Sequence, residues 1–261
     1  MIGAIIGDIA GSRFEFDNYR AKDFELFSEK CFFTDDTVMT LAIAKAIMVS
    51  APSYENLSEN AVRCMQDVGR NYPFCGYGGR FFGWMFSDDP KAYNSFGNGS
   101  AMRVSACAQA ANTIEEAKAF AKAVTVVTHD HPEGIKGAEA TAVAAFMART
   151  GSTMEEIREV ITRDYYDIDF SIDEIRDTYE FNETCQETVP QALEAFFEST
   201  DFEDAIRTAV SVGGDSDTLA AITGAVAEAY YGVPEEMEAR ALDYLDERLL
   251  GIYKEFSEFV L

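Results

Sequence analysis

One stretch near the C-terminal end, "SVGGDSDTLAAITGAVAEAYYG" (211–232), constrains the fold more than any other. Residues 216–231 follow a helical pattern, yet they are apolar on nearly every face and rich in Ala and Gly. A helix that is apolar all round belongs in an interior. Its start has the opposite character. Asp215 and Asp217 follow Gly213-Gly214 and precede Thr218, where a single capping oxygen would serve. A second oxygen-rich start lies far upstream in "FFTDDTVMTLAIAKAI" (32–47). It opens another helix that is apolar on most sides (36–49).

The periodicity is helical almost throughout. Gly3, Gly7 and Gly11 recur every four residues and share one helix face, which reads as close packing through small residues. The other reading is a helix that aims Asp8 at a site. Further helices are predicted over 53–70, 99–111, 113–126, 133–149, 153–162, 186–198, 201–210, 216–231, 234–241 and 243–259. "TIEEAKAF" and "TDFEDAIRTA" carry capping signatures. "NYPFCGYGGRFFGWMFSDDPKAYNSFGNGSAMRVSACAQAA" breaks the pattern with six glycines, the last of them at the start of the helix predicted from 99, and long loops in compact domains are often functional. "TRDYYDIDFSIDEIRDTYEFNET" (162–184) is acid-rich and reads as a solvated excursion. "AVTVVTH" (123–129) is the best strand candidate, although it continues a helical pattern. With no repeat, low-complexity tract or linker, the expectation is one compact all-α, multi-helix domain over 1–261.

At 48% hydrophobic, 261 residues can bury a sizeable core. Lys and Arg number 21 against 46 Asp and Glu, a net charge of −25. Such a surface disfavours nucleic acid and anionic membranes, and an anionic ligand needs local cations or helix N-termini. Five cysteines with no CxxC pair point to reduced thiols. Two histidines exclude a His-rich metal site. The apolar N-terminus lacks a basic leader and is interrupted by Asp8, and no run approaches the roughly 18 apolar residues of a membrane helix. The chain therefore reads as a cytoplasmic protein with no membrane partner; its oligomeric state is not legible.

Each acidic helix start alone is explained by capping, since Asp and Thr oxygens satisfy free N–H groups. Two together weigh differently. Neighbouring carboxylates repel unless a cation sits between them, and burying them unpaired is costly. Mg²⁺, Mn²⁺ or Ca²⁺ takes such oxygen ligands, Thr hydroxyls included, and two clusters can hold two ions about 3.5–4 Å apart. Glu15 is a further candidate ligand, although composition alone makes it a surface acid. Gly97-Asn98-Gly99-Ser100 offers backbone N–H groups suited to a phosphate, or is simply a turn capped by Ser100. His129 and His131 flank Asp130, and histidines in such loops are ordinarily surface or hydrogen-bonded groups. Pro132 marks the next helix start.

Taken together, "GDIAGSRFE" (7–15), "FTDDTVMT" (33–40), "GYGG" (76–79), "GNGSAMRVS" (97–105), "THDHPEGIKGAEATA" (128–142), "CQETVPQAL" (185–193) and "GGDSDTLAAITGAVAEAYYG" (213–232) resemble the ADP-ribosylglycohydrolase family. That family includes the dinitrogenase-reductase-activating glycohydrolases, and this chain resembles its shorter bacterial-type members. The resemblance implies an all-α fold with a binuclear Mg²⁺ or Mn²⁺ cleft, ligated by Thr34, Asp35, Asp36, Asp215, Asp217 and Thr218, with Asp217 bridging. It makes Glu15, Asp36, Asp215 and Asp217 the catalytic carboxylates, Glu15 being the mobile acid of an N-terminal flap. ADP-ribose contacts fall on Gly78, Ser95, Phe96, Gly97, Asn98, Gly99, Ser100, Met102 and His129. The implied reaction is hydrolysis of the glycosidic bond at C1'' of ADP-ribose, on an ADP-ribosylated protein side chain such as arginine or on a small-molecule conjugate. Asp88 and Asp89 lie in the loop where some members carry a further acid. Three other readings stand besides hydrolysis. One is a non-catalytic ADP-ribose-binding protein of the same fold, which the retained acids disfavour. Another is a Mg²⁺-dependent phosphatase, for which "GGDSDT" stands in the wrong order and follows glycines instead of a strand. A prenyl-diphosphate enzyme is opposed by the missing third Asp after "DDTVM".

Overall fold

A computed structural model describes residues 1–261. It contains fourteen α-helices and no strand, apart from one isolated antiparallel bridge between Gly97 and Thr184. The first seven helices are α1 (Ile2–Gly11), α2 (Asp35–Ser50), α3 (Leu57–Gly69), α4 (Gly79–Met85), α5 (Ser105–Ala110), α6 (Ile114–Thr125) and α7 (Pro132–Arg149). The rest are α8 (Met154–Asp164), α9 (Ile172–Ile175), α10 (Cys185–Phe197), α11 (Phe202–Val210), α12 (Ser216–Tyr231), α13 (Glu235–Leu242) and α14 (Glu247–Phe259). None is long and apolar enough to cross a membrane.

Helix α12 is the axis of the bundle. It is buried from Ser216 to Ala227 and packs on α1, α7, α10 and α11. Its partner α1 is buried along its whole length. A Cβ added at Gly7 would lie 2.0 Å from the Ala220 carbonyl oxygen, and one at Gly3 would lie 2.1 Å from that of Gly224. The glycine stripe thus brings the two backbones into direct contact. Any side chain there must push the helices apart, and overpacking of this kind costs about 1–3 kcal/mol or more.

That contact also sets the site. Asp8, within the buried run of α1, accepts hydrogen bonds from the backbone N–H and hydroxyl of both Thr34 and Thr37 at the start of α2. Helix α1 therefore ties the N-terminus of α2 to that of α12, and the two acidic starts converge.

Several expectations need correction. The helix predicted from 99 begins at Ser105, because the backbone around Asn98 is committed elsewhere. Asn98 N donates to the Glu183 carbonyl, and Cys185 N donates to that of Phe96. The strand candidate 123–129 instead finishes α6 and turns into the loop before α7. The glycine-rich stretch holds an unexpected short helix, α4. The segment 162–184 is not simply solvated, because Tyr166, Ile168, Ile172 and Tyr179 are buried. The predicted caps are present at Thr113 and Asp201, each accepting from the N–H three residues on.

Candidate active site

A cavity of about 330 Å³ opens where the N-termini of α2 and α12 meet the glycine turns. The turn into α12 requires left-handed backbone at Gly213 (φ 81°) and Gly214 (φ 65°). Non-glycine residues rarely adopt that conformation, and a Cβ at Gly214 would also collide with the Tyr179 ring at 2.7 Å. The turn is pinned by Gly214 N donating to Asn18 Oδ1.

The turn delivers Asp215 and Asp217 to one end of the cavity, where Glu15, Asp35, Asp36 and Glu183 also face. Carboxylate oxygens of Glu15, Asp215 and Asp217 lie within 4.8 Å of one another. Asn98 Nδ2 donates to Asp215 Oδ2 at 2.6 Å and fixes that carboxylate. Thr218 Oγ1 donates to Asp36 Oδ2 at 3.2 Å, while Asp36 Oδ1 is buried with no hydrogen-bond partner.

Without a cation, burial and then crowding raise Glu15, Asp35, Asp36, Asp215 and Asp217. Burial, then the Asp217 and Asp8 charges, push Asp35 and Asp36 well above the usual carboxylate range. Asp217 rises likewise from burial, then from Asp215 and Asp8. Asp215 reaches about 6 through burial, opposed by its hydrogen bonds to Asp217 and Asn98. Glu15 is pushed up to about 8 by burial, then by Asp217, Asp8 and Glu183. Acids that repel one another, an unpartnered buried oxygen and only hard oxygen donors together fit a hard divalent cation.

The rest of the lining is basic and aromatic. Arg80 and Arg103 are the only Lys or Arg side chains lining the cavity. The Arg80 guanidinium lies over the Tyr93 ring at 4.8 Å and donates to the Tyr93 carbonyl. His129 is buried, and its Nε2 lies 3.5–3.6 Å from where a Cβ on Gly97 or Gly99 would stand. Burial, then the Arg103 and Arg80 charges, hold His129 well below the ordinary histidine range. Gly78 and Gly79 have no protein atom within 4 Å of an added Cβ, so their backbone faces open space.

The cavity collects most of the residues expected from the sequence. Glu15, Asp35, Asp36, Asp215, Asp217 and Thr218 line one side; Gly78, Ser95, Phe96, Gly97, Asn98, Gly99, Met102 and His129 line the rest. Two expected residues sit behind the wall. Thr34 is buried with its hydroxyl on Asp8 Oδ1 at 2.7 Å, and the Ser100 hydroxyl donates to the Gly134 carbonyl at 2.8 Å. His131 caps α7, accepting from Glu133 N. Asp88 and Asp89 are not among the lining residues, and Asp89 pairs with Lys91. Sequence reasoning missed Arg80, Tyr93, Arg103, Phe181 and Glu183. The arginine next to "GYGG" was the available signal for the first; the others are brought in by long-range packing.

The ADP-ribosylglycohydrolase family model matches residues 1–258, and the chain belongs to that family: it is a glycohydrolase. Among its relatives is ADP-ribosylhydrolase ARH3 of Mus musculus, 25% identical over 299 residues that cover 88% of this chain and 80% of the relative. ADP-ribosylarginine hydrolase Tri1 of Pseudomonas putida is 28% identical over 265 residues, covering 89% of this chain and 70% of the relative. A solved structure described as an ADP-ribosylglycohydrolase-related protein complex superposes with a TM-score of 0.67 at 22% identity, covering 100% of this chain and 97% of the other. It shares the all-α fold.

Proposed function

We propose that the chain is a metal-dependent hydrolase that cleaves the glycosidic bond at C1'' of ADP-ribose and releases free ADP-ribose. Its substrate is an ADP-ribosylated protein, at a side chain such as arginine, or a small-molecule conjugate. The observation that carries this reading is the polarity of one cavity. A carboxylate cluster suited to a cation shares its lining with glycine turns, Arg80 and His129. A ligand with a diol at one end and a diphosphate in its middle matches that division. The relatives named as ADP-ribosyl hydrolases support the same substrate.

Asp35, Asp36, Asp215, Asp217 and Thr218 would hold two Mg²⁺ or Mn²⁺ ions; Thr34 joins this set on its motif position alone. Bound there, the ions supply Lewis acidity and an anchor for ribose hydroxyls and water. The protein's own groups do the rest. The backbone N–H groups of the Gly97–Gly99 turn and the Arg80 guanidinium bind the diphosphate, with Phe96 beside the adenosine end. Asn98 keeps Asp215 oriented. Glu15 passes a proton between the attacking water and the departing nitrogen or oxygen. The water oxygen bonds to C1'' as the old bond breaks, through an oxocarbenium-like transition state. All five cysteines are free thiols, which supports a reducing, cytoplasmic location.

The test is release of ADP-ribose from ADP-ribosyl-arginine and ADP-ribosyl-serine peptides, with Mg²⁺ or with EDTA. Release from either peptide with Mg²⁺ and none with EDTA is expected. No release from either, together with tight ADP-ribose binding, contradicts hydrolysis of protein substrates and favours a binding protein or a small-molecule conjugate.

A further inference from the structure

Arg103 is the largest fully buried side chain in the protein, and no carboxylate pairs with it. A buried guanidinium without a counter-charge is expensive, and nothing in the proposed chemistry accounts for it. Its hydrogen bonds suggest what it does. Nη2 donates to the Val124 carbonyl at 3.1 Å and to Thr128 Oγ1 at 2.7 Å. Arginine has no acceptor, so Thr128 Oγ1 must accept.

The Thr128 hydroxyl then has one proton to give and two neighbours to receive it. The Thr125 carbonyl is 3.4 Å away and already accepts from the N–H groups of Thr128 and His129. His129 Nδ1 is 2.7 Å away. If the hydroxyl gives its proton to Nδ1 it makes a 2.7 Å bond; if Nδ1–H donates instead, the hydroxyl is left with the 3.4 Å contact to an already occupied carbonyl. The first arrangement is the better bonded, and it puts the ring proton of neutral His129 on Nε2. Nε2 is the nitrogen that faces the Gly97–Gly99 turn and the cavity.

We propose that Arg103 and Thr128 are positioning residues that lock His129 as a neutral imidazole with its Nε2–H aimed into the cavity, where it donates to an acceptor oxygen of the bound ligand. The lowered pKa of His129 agrees with this, since burial and then the Arg103 charge disfavour an imidazolium. The tautomer stands on the hydrogen bonds alone. That the oxygen belongs to ADP-ribose, on a phosphate or a ribose hydroxyl, rests on the function proposed above.

The two histidines make the test direct. Long-range ¹H–¹⁵N spectra of the ¹⁵N-labelled full chain at neutral pH report which ring nitrogen is protonated, and a His131→Gln variant assigns the signals. The wild type and Thr128→Ser should show His129 protonated on Nε2 only. Thr128→Val should lose that single tautomer, and its affinity for ADP-ribose should fall roughly tenfold, with Thr128→Ser retaining most of the binding. An Nδ1–H tautomer or an imidazolium in the wild type overturns the proposal, as does a Thr128→Val protein with unchanged tautomer and affinity. The wild-type spectrum decides the tautomer even if Thr128→Val does not fold. The expected tautomer in a wild type that does not bind ADP-ribose would confirm the relay and overturn the ADP-ribose reading of the cavity.

Discussion

At one end of the cavity, Glu15, Asp35, Asp36, Asp215 and Asp217 crowd together, and burial followed by their neighbours' charges raises their pKa values. At the other, Arg103 and His129 are buried beside each other and both are lowered, Arg103 to about 10. The second end is satisfied only in part from within: Arg103 Nη2 donates to Thr128 Oγ1 and the Val124 carbonyl, while Arg103 Nε is buried without a partner. The first gathers like charges around an unpartnered Asp36 Oδ1, and a cation from outside would turn that repulsion into attraction. An end rich in buried N–H donors is built to present them to a ligand. An end left incomplete is built to take up a metal.

Asp217→Asn should have the largest effect. Turnover should fall roughly a thousandfold, as when an electrostatic partner of the transition state is lost. The thermal midpoint in EDTA should not fall, because the folded state already disfavours ionised Asp217. A variant that fails to fold would instead make the acids structural. At the other end, Arg80→Ala should weaken ADP-ribose binding roughly tenfold and flatten its salt dependence, while leaving Mn²⁺ affinity alone. Loss of metal binding in this variant would deny that the two ends are separate.

The smallest effects are on stability against pH, and the two ends should respond with opposite sign. In metal-free protein, the folded value of Glu15 is about 8 against an ordinary 4.5. Its contribution is present at low pH and is lost as pH rises through about 8. For His129, the folded value lies well below the ordinary 6.5. Its contribution is present above about 6.5 and is lost as pH falls toward the folded value. Urea midpoints of wild type against Glu15→Gln and His129→Gln, measured in EDTA, should show the two differences moving in opposite directions. Parallel movement would contradict the contrast.

Much of this was legible in the sequence. The apolar faces of α2 and α12 and the Gly3-Gly7-Gly11 stripe predict a tightly packed helical core, because local periodicity records which side is buried. The acidic starts are readable because two carboxylates are more than a cap needs. The second end was harder. Arg103 lies in "AMRVS" with no local sign that it is buried, and only the fold brings it to Thr128. Asp8 stands out in the sequence as an interruption of an apolar run and as a residue α1 could aim at a site, but its four donors at Thr34 and Thr37 come from around the start of another helix. Phe181 and Glu183 lay in a stretch read as solvated, since an acid-rich composition does not reveal that a few of its residues pack against the cavity.

The most direct measurement is titration of the metal-free wild type and of Asp217→Asn with Mn²⁺, followed by calorimetry. Wild type saturating at two ions per chain, with tight binding lost in Asp217→Asn, is the predicted result. Binding in the wild type no tighter or greater than in Asp217→Asn would show that the acidic end is not a metal site and would contradict the account.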